Sequence, residues 1–215
     1  MHIPKLFEIT DNKIIEKFIK ENGLATLITR GSVSPVGTHI PIDLEINEAG
    51  NRVLWGHISK ANPQWKDFEN DENVLVIFLS PVHSYISSSW YNHPNAPTWN
   101  YLSGHITGKL KIIEGEKLWG TVSRLTNRYE QKSANPTSLV TLPESVQKQM
   151  NGIVGFEISI DKIEDAFKLS QNRNDEDFEN IVKQLRLSNE LSSSLMADVM
   201  ERERVQSVPI HFASS

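Results

Sequence analysis

The chain has 215 residues, of which 38% are hydrophobic and 23% charged, so it has enough apolar material for one large domain. Its 22 basic and 27 acidic residues give a net charge of −5, which disfavours a purely electrostatic nucleic-acid binder. The lack of cysteine excludes disulfides, iron–sulfur clusters and thiol nucleophiles. No apolar run approaches the roughly 20 residues of a membrane span, and residues 1–5 lack a signal-peptide pattern. We therefore expect a cytoplasmic protein with no membrane partner.

The first half of the chain is predicted to contain consecutive strands after one helix. Asp11 is the predicted N-cap of an amphipathic helix that Gly23 ends. Turn residues separate the strands, and a short helix begins at Pro63 with Asn62 as its cap. The predicted strands are 24–29, 36–42, 52–58 and 73–79.

The second half mixes longer strands with helices. Strands are predicted at 102–113 and 153–160, the second half-buried because its apolar residues alternate, and helices at 116–130, 142–150, 175–187 and 189–203. In the last helix we expect an apolar face of Leu191, Leu195 and Val199, with Met196 as a further candidate. Consecutive strands favour an α+β, mainly β, barrel or sheet over a doubly wound parallel fold. We expect residues 1–170 to form the body and residues 171–215 a C-terminal helical extension packed on the body or on a second subunit.

A candidate anion site lies where the predicted strand 52–58 gives way to the helix at Pro63. The free N–H groups of a helix start, the hydroxyl of Ser59 and the ammonium of Lys60 suit a bound phosphate. The alternative is a capped helix whose Lys60 points into water.

Two other segments carry chemistry-bearing side chains. Aromatic and small hydroxyl residues are interspersed along 85–91 and 96–101, which is typical of a planar ligand site, a subunit interface or a core. Lys168, Gln171 and Arg173 follow the predicted body, as a solvated connector or as an arm that returns to a phosphate or carboxylate.

The histidines carry no metal-binding pattern. Five of the seven lie between residues 39 and 105, but none has the spacing of a metal site, so we predict no metal. A nucleophile elbow, a dinucleotide fingerprint and a P-loop are also lacking from the sequence. No catalytic residue is therefore predicted, while haem ligation by a single histidine stays open.

A set of segments spread over most of the chain carries a further signal. They are Met1-His2-Ile3-Pro4, Thr38-His39-Ile40-Pro41, Gly56-His57 with Ala61-Asn62-Pro63-Gln64-Trp65, Tyr85-Ile86-Ser87 with Trp90-Tyr91, Pro97-Thr98-Trp99-Asn100-Tyr101 and Lys168-Leu169-Ser170-Gln171-Asn172. Together and in this order, they resemble the PaiB-type family of FMN-binding negative transcriptional regulators.

The resemblance implies a six-stranded antiparallel split β-barrel with peripheral helices, as in pyridoxamine-phosphate oxidase and the flavin reductases. It also implies a homodimer with two FMN sites at the subunit interface. The FMN phosphate would be held at 59–62 and the isoalloxazine near 38–41, while the strand 99–101 and the arm 171–173 would come from the opposite subunit. The expected cofactor-binding residues are Thr38, His39, His57, Ser59, Lys60, Asn62, Trp99, Tyr101, Gln171 and Arg173.

The function that the resemblance implies is that of an FMN-binding negative transcriptional regulator acting as a homodimer. The alternatives are a flavin-dependent oxidoreductase with His39 and His57 as candidate acids or bases, a haem-binding split-barrel protein, and an interaction protein without flavin. Contact with DNA is not supported by the net charge, and only Lys109–Lys111 with Arg124–Arg128 could form a basic face.

Overall fold

A computed structural model describes residues 1–207 of the chain, with side chains as far as Arg204. Its strands are β1 (Glu8–Ile9), β2 (Leu24–Arg30), β3 (Pro35–Ile46), β4 (Arg52–Ser59), β5 (Asn73–Leu79), β6 (Ser84–Ile86), β7 (Thr98–Ile113) and β8 (Ile153–Lys168). Its α-helices are α1 (Asn12–Glu21), α2 (Gly115–Glu130), α3 (Glu144–Gln147), α4 (Asp175–Leu187) and α5 (Leu191–Ser207). Short 3-10 helices occupy Lys5–Phe7, Pro63–Glu69, Ser88–Trp90, Leu139–Thr141 and Lys148–Gly152.

The strands form an antiparallel barrel. The sheet order is β1-β8-β4-β3-β2-β5-β7-β6, and a further pairing of β7 with β8 closes the six central strands on themselves. This confirms the expected six-stranded split barrel with peripheral helices and a C-terminal helix. The short strands β1 and β6 are additions that the sequence did not predict, because two- and three-residue strands carry too little periodicity to detect.

Contacts between residues divide the chain into two compact units. The barrel unit comprises residues 11–78 and 104–163. The second unit comprises residues 1–10, 79–103 and 164 to the end of the described residues. The expected boundary at residue 170 stays a prediction, and residues 208–215 of the expected extension lie outside the described part.

The first helix forms as its capping pattern predicts. The Asp11 carboxylate accepts hydrogen bonds from the backbone N–H groups of Lys13 at 2.7 Å and Ile14 at 3.4 Å, which satisfies two donors of the first turn. The apolar stripe of α1 is buried at Ile15, Phe18 and Ile19. A helix capped and buried in this way places β2 directly after its end.

Strand β8 differs from the expected half-buried strand. All residues from 154 to 158 are buried, including Gly155 and Glu157 on the face expected to meet solvent. The cause is α2, which covers that face: a Cβ placed on Gly155 would lie 2.3 Å from Leu118. The alternating pattern therefore predicted the wrong exposure for this strand. The charged residue Glu157 is buried together with its lysine partners and does not face solvent.

The helices of the second unit follow the sequence pattern only in part. Helix α4 has the predicted bounds, and the Asn174 side chain caps it by accepting the N–H of Asp177 at 2.8 Å. In α5 the buried side chains include Met196, Ala197 and Met200, whereas Leu191 and Leu195 are exposed. The predicted apolar face was therefore wrong for Leu191 and Leu195, because the apolar residues of α5 lie on more than one side, while Met196 is buried as expected. No helix of the described residues is long and apolar enough to cross a membrane.

Candidate cofactor-binding site

The predicted phosphate site lies in the barrel unit, where β4 ends. The Ser59 hydroxyl accepts the N–H of Ala61 at 3.2 Å, and the backbone N–H of Lys60 donates to the Gly152 carbonyl at 2.8 Å. The Lys60 carbonyl accepts the indole N–H of Trp65 at 3.1 Å. The Lys60 side chain is exposed and forms no ion pair among the described residues. The backbone is thus fixed, while the ammonium stays open to a ligand.

The helix that follows is short, and its backbone is wound more tightly than that of an α-helix. It is a seven-residue 3-10 helix, and its cap Asn62 accepts the N–H of Gln64 at 3.0 Å. Buried Gln64 anchors it by donating to the carbonyls of Leu27 and Val36 at 3.2 Å and 3.0 Å. One N–H group is therefore already bonded, and the Lys60 ammonium supplies the main attraction for an anion.

A hydrogen bond joins the two segments that were expected to hold the cofactor. The Asn62 amide donates to the Thr38 hydroxyl at 2.9 Å, so the end of β4 lies beside β3. Thr38 is half-buried and is the register partner of Leu27 on β2. The structure therefore brings segments 38–41 and 59–62 together within one unit.

The two histidines of this region have different surroundings. His39 is exposed, and its Nδ1 lies 2.9 Å from the hydroxyl of its cross-strand partner Thr26. His57 pairs with Gly155 of β8, and its Nδ1 is buried without a hydrogen-bond partner among the described residues. Burial lowers the pKa of His57, so the ring is neutral at pH 7. A neutral ring with a free nitrogen can bond a ligand atom.

The remaining expected cofactor residues belong to the second unit. Trp99 is half exposed and contacts Tyr85 and His83, each at 5.8 Å between ring centroids, and Tyr101 is half-buried. Gln171 bonds the backbone of its own loop, donating to Phe167 at 2.6 Å and accepting from Leu169 at 2.7 Å. Gln171 therefore holds the loop, whereas exposed Trp99 is open to a partner.

A buried charge cluster that the sequence did not single out lies elsewhere on the barrel. Glu157 accepts hydrogen bonds from Trp55 Nε1 at 2.8 Å, Lys111 Nζ at 2.8 Å and Lys117 Nζ at 2.7 Å. Burial alone would raise the pKa of Glu157, but these bonds outweigh it and lower the pKa to about 2. The signal in the sequence was a glutamate inside the apolar run 153–160.

The groove over Glu157 has a volume of about 830 Å³. Its charged lining consists of Glu45, Glu48, Glu116, Glu157, Lys111, Lys117 and Arg124. None of the expected cofactor residues lines this groove. Acidic groups outnumber basic ones, and Arg124 stacks on the Trp55 ring at 4.1 Å, so we interpret the cluster as structural.

Three of the four cations considered for a DNA-binding face have carboxylate partners, and the fourth, Arg124, stacks on Trp55. Lys109 pairs with Glu72, and Arg128 pairs with Asp43. Lys111 is bound to Glu157. Because these charges are already neutralised, this surface offers little attraction for phosphates of DNA. Among the described residues, no group of three His, Cys, Asp or Glu side chains could hold a metal ion.

Comparisons with known proteins agree with this fold. The family model described as "Putative FMN-binding domain" matches residues 1–162. Protease synthase and sporulation protein PAI 2 of Bacillus subtilis is 39% identical over 202 residues, covering 94% of this chain and 97% of that protein. The uncharacterized protein AN0679 of Emericella nidulans is 28% identical over 210 residues, covering 79% of this chain and 84% of that protein.

Solved structures with low sequence identity share the architecture. The FAD and heme binding protein of Mycobacterium smegmatis has a TM-score of 0.60 at 16% identity, covering 80% of this chain and 78% of that one. A flavocytochrome from Azotobacter vinelandii has a TM-score of 0.56 at 17% identity, covering 83% and 78%. At these identities the likeness shows the fold alone.

Proposed function

Because the chain belongs to the PaiB-type family of FMN-binding domains, we propose that it binds FMN as a homodimer and acts as a negative transcriptional regulator. The observation that carries the proposal is the hydrogen bond from Asn62 to Thr38, which joins the two segments assigned to the phosphate and the ring. Trp99, Tyr101, Gln171 and Arg173 are proposed to complete the site from the partner subunit.

The residues at the end of β4 fit an FMN phosphate. Lys60 offers an unpaired ammonium on a fixed backbone, and Ser59 offers a hydroxyl beside it. A cation with neighbouring donors is the usual way in which a protein holds a phosphate. Thr38 and His39 would contact the ring, and neutral His57 has a buried ring nitrogen that bonds none of the described residues. When bound, FMN supplies hydride and one-electron chemistry.

The regulatory role is proposed to operate without a DNA-binding face of its own. The net charge is −5, and Lys109, Lys111 and Arg128 are paired with carboxylates. The Bacillus subtilis relative is named protease synthase and sporulation protein PAI 2, and the regulatory role is proposed from the family resemblance. Repression would then run through a protein partner or through the flavin state of the dimer.

Haem binding is the second candidate function. It is favoured by His57, whose buried Nδ1 has no hydrogen-bond partner among residues 1–204 and whose ring is neutral, as a haem ligand must be. A protein of this fold from Mycobacterium smegmatis is named for binding both FAD and haem. Flavin-dependent oxidoreductase activity is compatible with the FMN proposal and needs no further site.

Absorbance spectroscopy combined with size-exclusion chromatography and light scattering tests the proposal. The purified full chain is mixed separately with FMN, FAD and haemin and then separated from free ligand. A flavin band that elutes at the mass of a dimer and is retained best with FMN is expected. A haem band in place of a flavin band would support the second candidate. A colourless protein with every ligand would overturn both.

A transcription experiment tests the regulatory half separately. Transcript levels are compared between the wild-type strain, a deletion strain and a strain carrying Lys60→Ala. We expect the same genes to be derepressed in the deletion and the variant strains. Normal repression by a variant that has lost FMN would contradict the link between FMN and regulation.

A further inference from the structure

Two cations of the second unit lack an acidic partner. Lys168, near the end of β8, forms a hydrogen bond through Nζ to the Thr98 hydroxyl at the start of β7. Arg173 lies five residues later, in the loop before α4. Neither side chain forms an ion pair with a carboxylate among the described residues. Cations that are partly withdrawn from water without a counter-charge are costly, which points to a missing anion.

The Arg173 guanidinium lies against an aromatic ring that has its own unpaired polar group. The guanidinium carbon is 4.7 Å from the centre of the Tyr91 ring. Arg173 Nε and the Tyr91 hydroxyl are both buried, and neither has a hydrogen-bond partner in the described residues. Tyr91 is only 8% exposed, so water does not readily satisfy its hydroxyl. Both atoms can donate to the same kind of ligand atom, an anionic oxygen.

The two positive charges also influence each other. Burial, followed by the charge of Arg173, lowers the pKa of Lys168. The carboxylate of Asp177 forms no ion pair with either cation among the described residues; it accepts bonds from the Asn92 N–H at 2.7 Å and the Asn174 amide at 3.2 Å, and it lies 3.4 Å from His93 Nδ1. An anion bound between Lys168 and Arg173 would remove their repulsion.

We propose that Lys168, Arg173 and Tyr91 form a binding site for a phosphate group. The guanidinium would hold two oxygens side by side, the ammonium would supply the second charge and the phenol a third donor. The site shares no residue with Ser59–Asn62, and its Arg173 is also one of the residues proposed above to complete the FMN site from the partner subunit. The phosphate is that of a phosphorylated small molecule, either FMN itself held by this arm or a second ligand.

Titration of the full-length protein with inorganic phosphate, followed by calorimetry and phosphorus NMR, tests the site. We expect saturable binding to the wild type and at least tenfold weaker binding to Lys168→Met and Arg173→Ala. All titrations are made in the Lys60→Ala background, so that the proposed FMN phosphate site does not contribute, and Lys183→Ala, which removes an exposed cation of α4, is the matched control that should leave phosphate binding unchanged. Absent saturable binding, unchanged affinity in Lys168→Met, or equal weakening in Lys183→Ala would overturn the proposal.

Two conservative variants test the same phosphate site if Lys168→Met or Arg173→Ala disturbs folding. Arg173→Lys keeps the charge but removes the planar fork, and Tyr91→Phe removes only the unpaired hydroxyl. We expect both to fold and to bind phosphate several-fold more weakly. Equal affinity of both variants and the wild type would contradict the assignment. In the wild type, the Lys168 pKa measured by carbon NMR should rise when phosphate is added.

A competition experiment identifies the source of the phosphate. If FMN displaces inorganic phosphate and riboflavin does not, the site holds the FMN phosphate. If neither displaces it, the site serves a second phosphorylated ligand. Both results support a phosphate site. If Lys60→Ala loses FMN binding but still binds phosphate, the result bears only on the FMN site at Ser59–Asn62. It does not contradict the phosphate site at Lys168 and Arg173.

Discussion

Trp55 and Glu157 are cross-strand partners on β4 and β8, and the Trp55 indole donates a 2.8 Å hydrogen bond to the Glu157 carboxylate. Lys111 and Lys117 bind the same carboxylate from β7 and α2. Glu157 is only 2% exposed, so its charge is satisfied by these three donors and not by water. One buried carboxylate therefore links two strands of the barrel and the helix that covers them.

Replacing Glu157 with glutamine should destabilise the protein at pH 7. Glutamine keeps an acceptor for Trp55, but it removes the charge that binds two lysines. Because these lysines are partly exposed and can hydrate, we expect the free energy of unfolding to fall by only about 2 kcal/mol. Urea unfolding of the wild type and Glu157→Gln measures the difference. The exposed pair of Lys148 and Glu144 is the control, and Glu144→Gln should change stability by less than about 0.5 kcal/mol.

The same cluster predicts a pH dependence. The folded-state pKa of Glu157 is lowered from 4.5 to about 2, so the folded protein holds this proton less tightly than the unfolded chain. The contribution to stability is complete above pH 4.5 and is lost as the pH falls toward 2. The difference between the wild type and Glu157→Gln should shrink over this interval. A difference that stays constant down to pH 2 would contradict the assigned pKa.

Most of the fold could be predicted because it depends on local signals. Asp11 caps α1, and strand β5 and helix α4 have the predicted bounds. What could not be predicted depends on contacts distant in sequence. Glu157 is buried because Lys111 and Lys117 come from other elements, and no periodicity reports such partners.

In the candidate site, too, local signals could be predicted and contacts distant in sequence could not. The segment Ser59–Asn62 was chosen as a candidate from its position between strand and helix, and segment 38–41 was added from the family resemblance. A hydrogen bond from Asn62 to Thr38 joins the two segments in the structure. The role of Gln64 was missed, since its bonds reach carbonyls 28 and 37 residues away. No sequence pattern distinguishes Gln171, which bonds its own loop, from Arg173, whose Nε has no partner within the described part of the chain.

Gly108→Ala should strongly destabilise the barrel. A Cβ at this position in β7 would lie 2.1 Å from the Ser159 carbonyl oxygen of β8, where the two strands close the barrel. Backbone cannot give way as a flexible side chain does, so we expect a loss of at least about 3 kcal/mol. Thermal and urea unfolding measure this loss. Gly152→Ala, where a Cβ would meet no atom within 4 Å, should behave as the wild type.

Asp165→Asn should stabilise the protein at alkaline pH. Asp165 is 1% exposed, both carboxylate oxygens lack partners in the described residues, and burial raises its pKa from 3.8 to about 7. The folded state therefore keeps a proton that the unfolded chain has lost, and wild-type stability falls as the pH rises from 3.8 to about 7. At pH 8 the variant should be about 4 kcal/mol more stable than the wild type, with little difference at pH 4. Exposed Asp161→Asn is the control and should show no such crossover.

Lys60→Ala should weaken FMN binding without unfolding the protein. The side chain is exposed and its backbone bonds to Gly152 and Trp65 survive the substitution, so unfolding temperatures should match those of the wild type. Loss of a charge-assisted contact to the phosphate should cost about 1.5–3 kcal/mol of FMN binding free energy, measured by flavin fluorescence titration. Riboflavin, which has no phosphate, should bind both proteins alike. Lys66→Ala removes an exposed charge on the adjacent helix and should leave FMN affinity unchanged. Equal weakening of FMN binding by both variants would contradict a specific contact, because it would show that the affinity depends only on net charge.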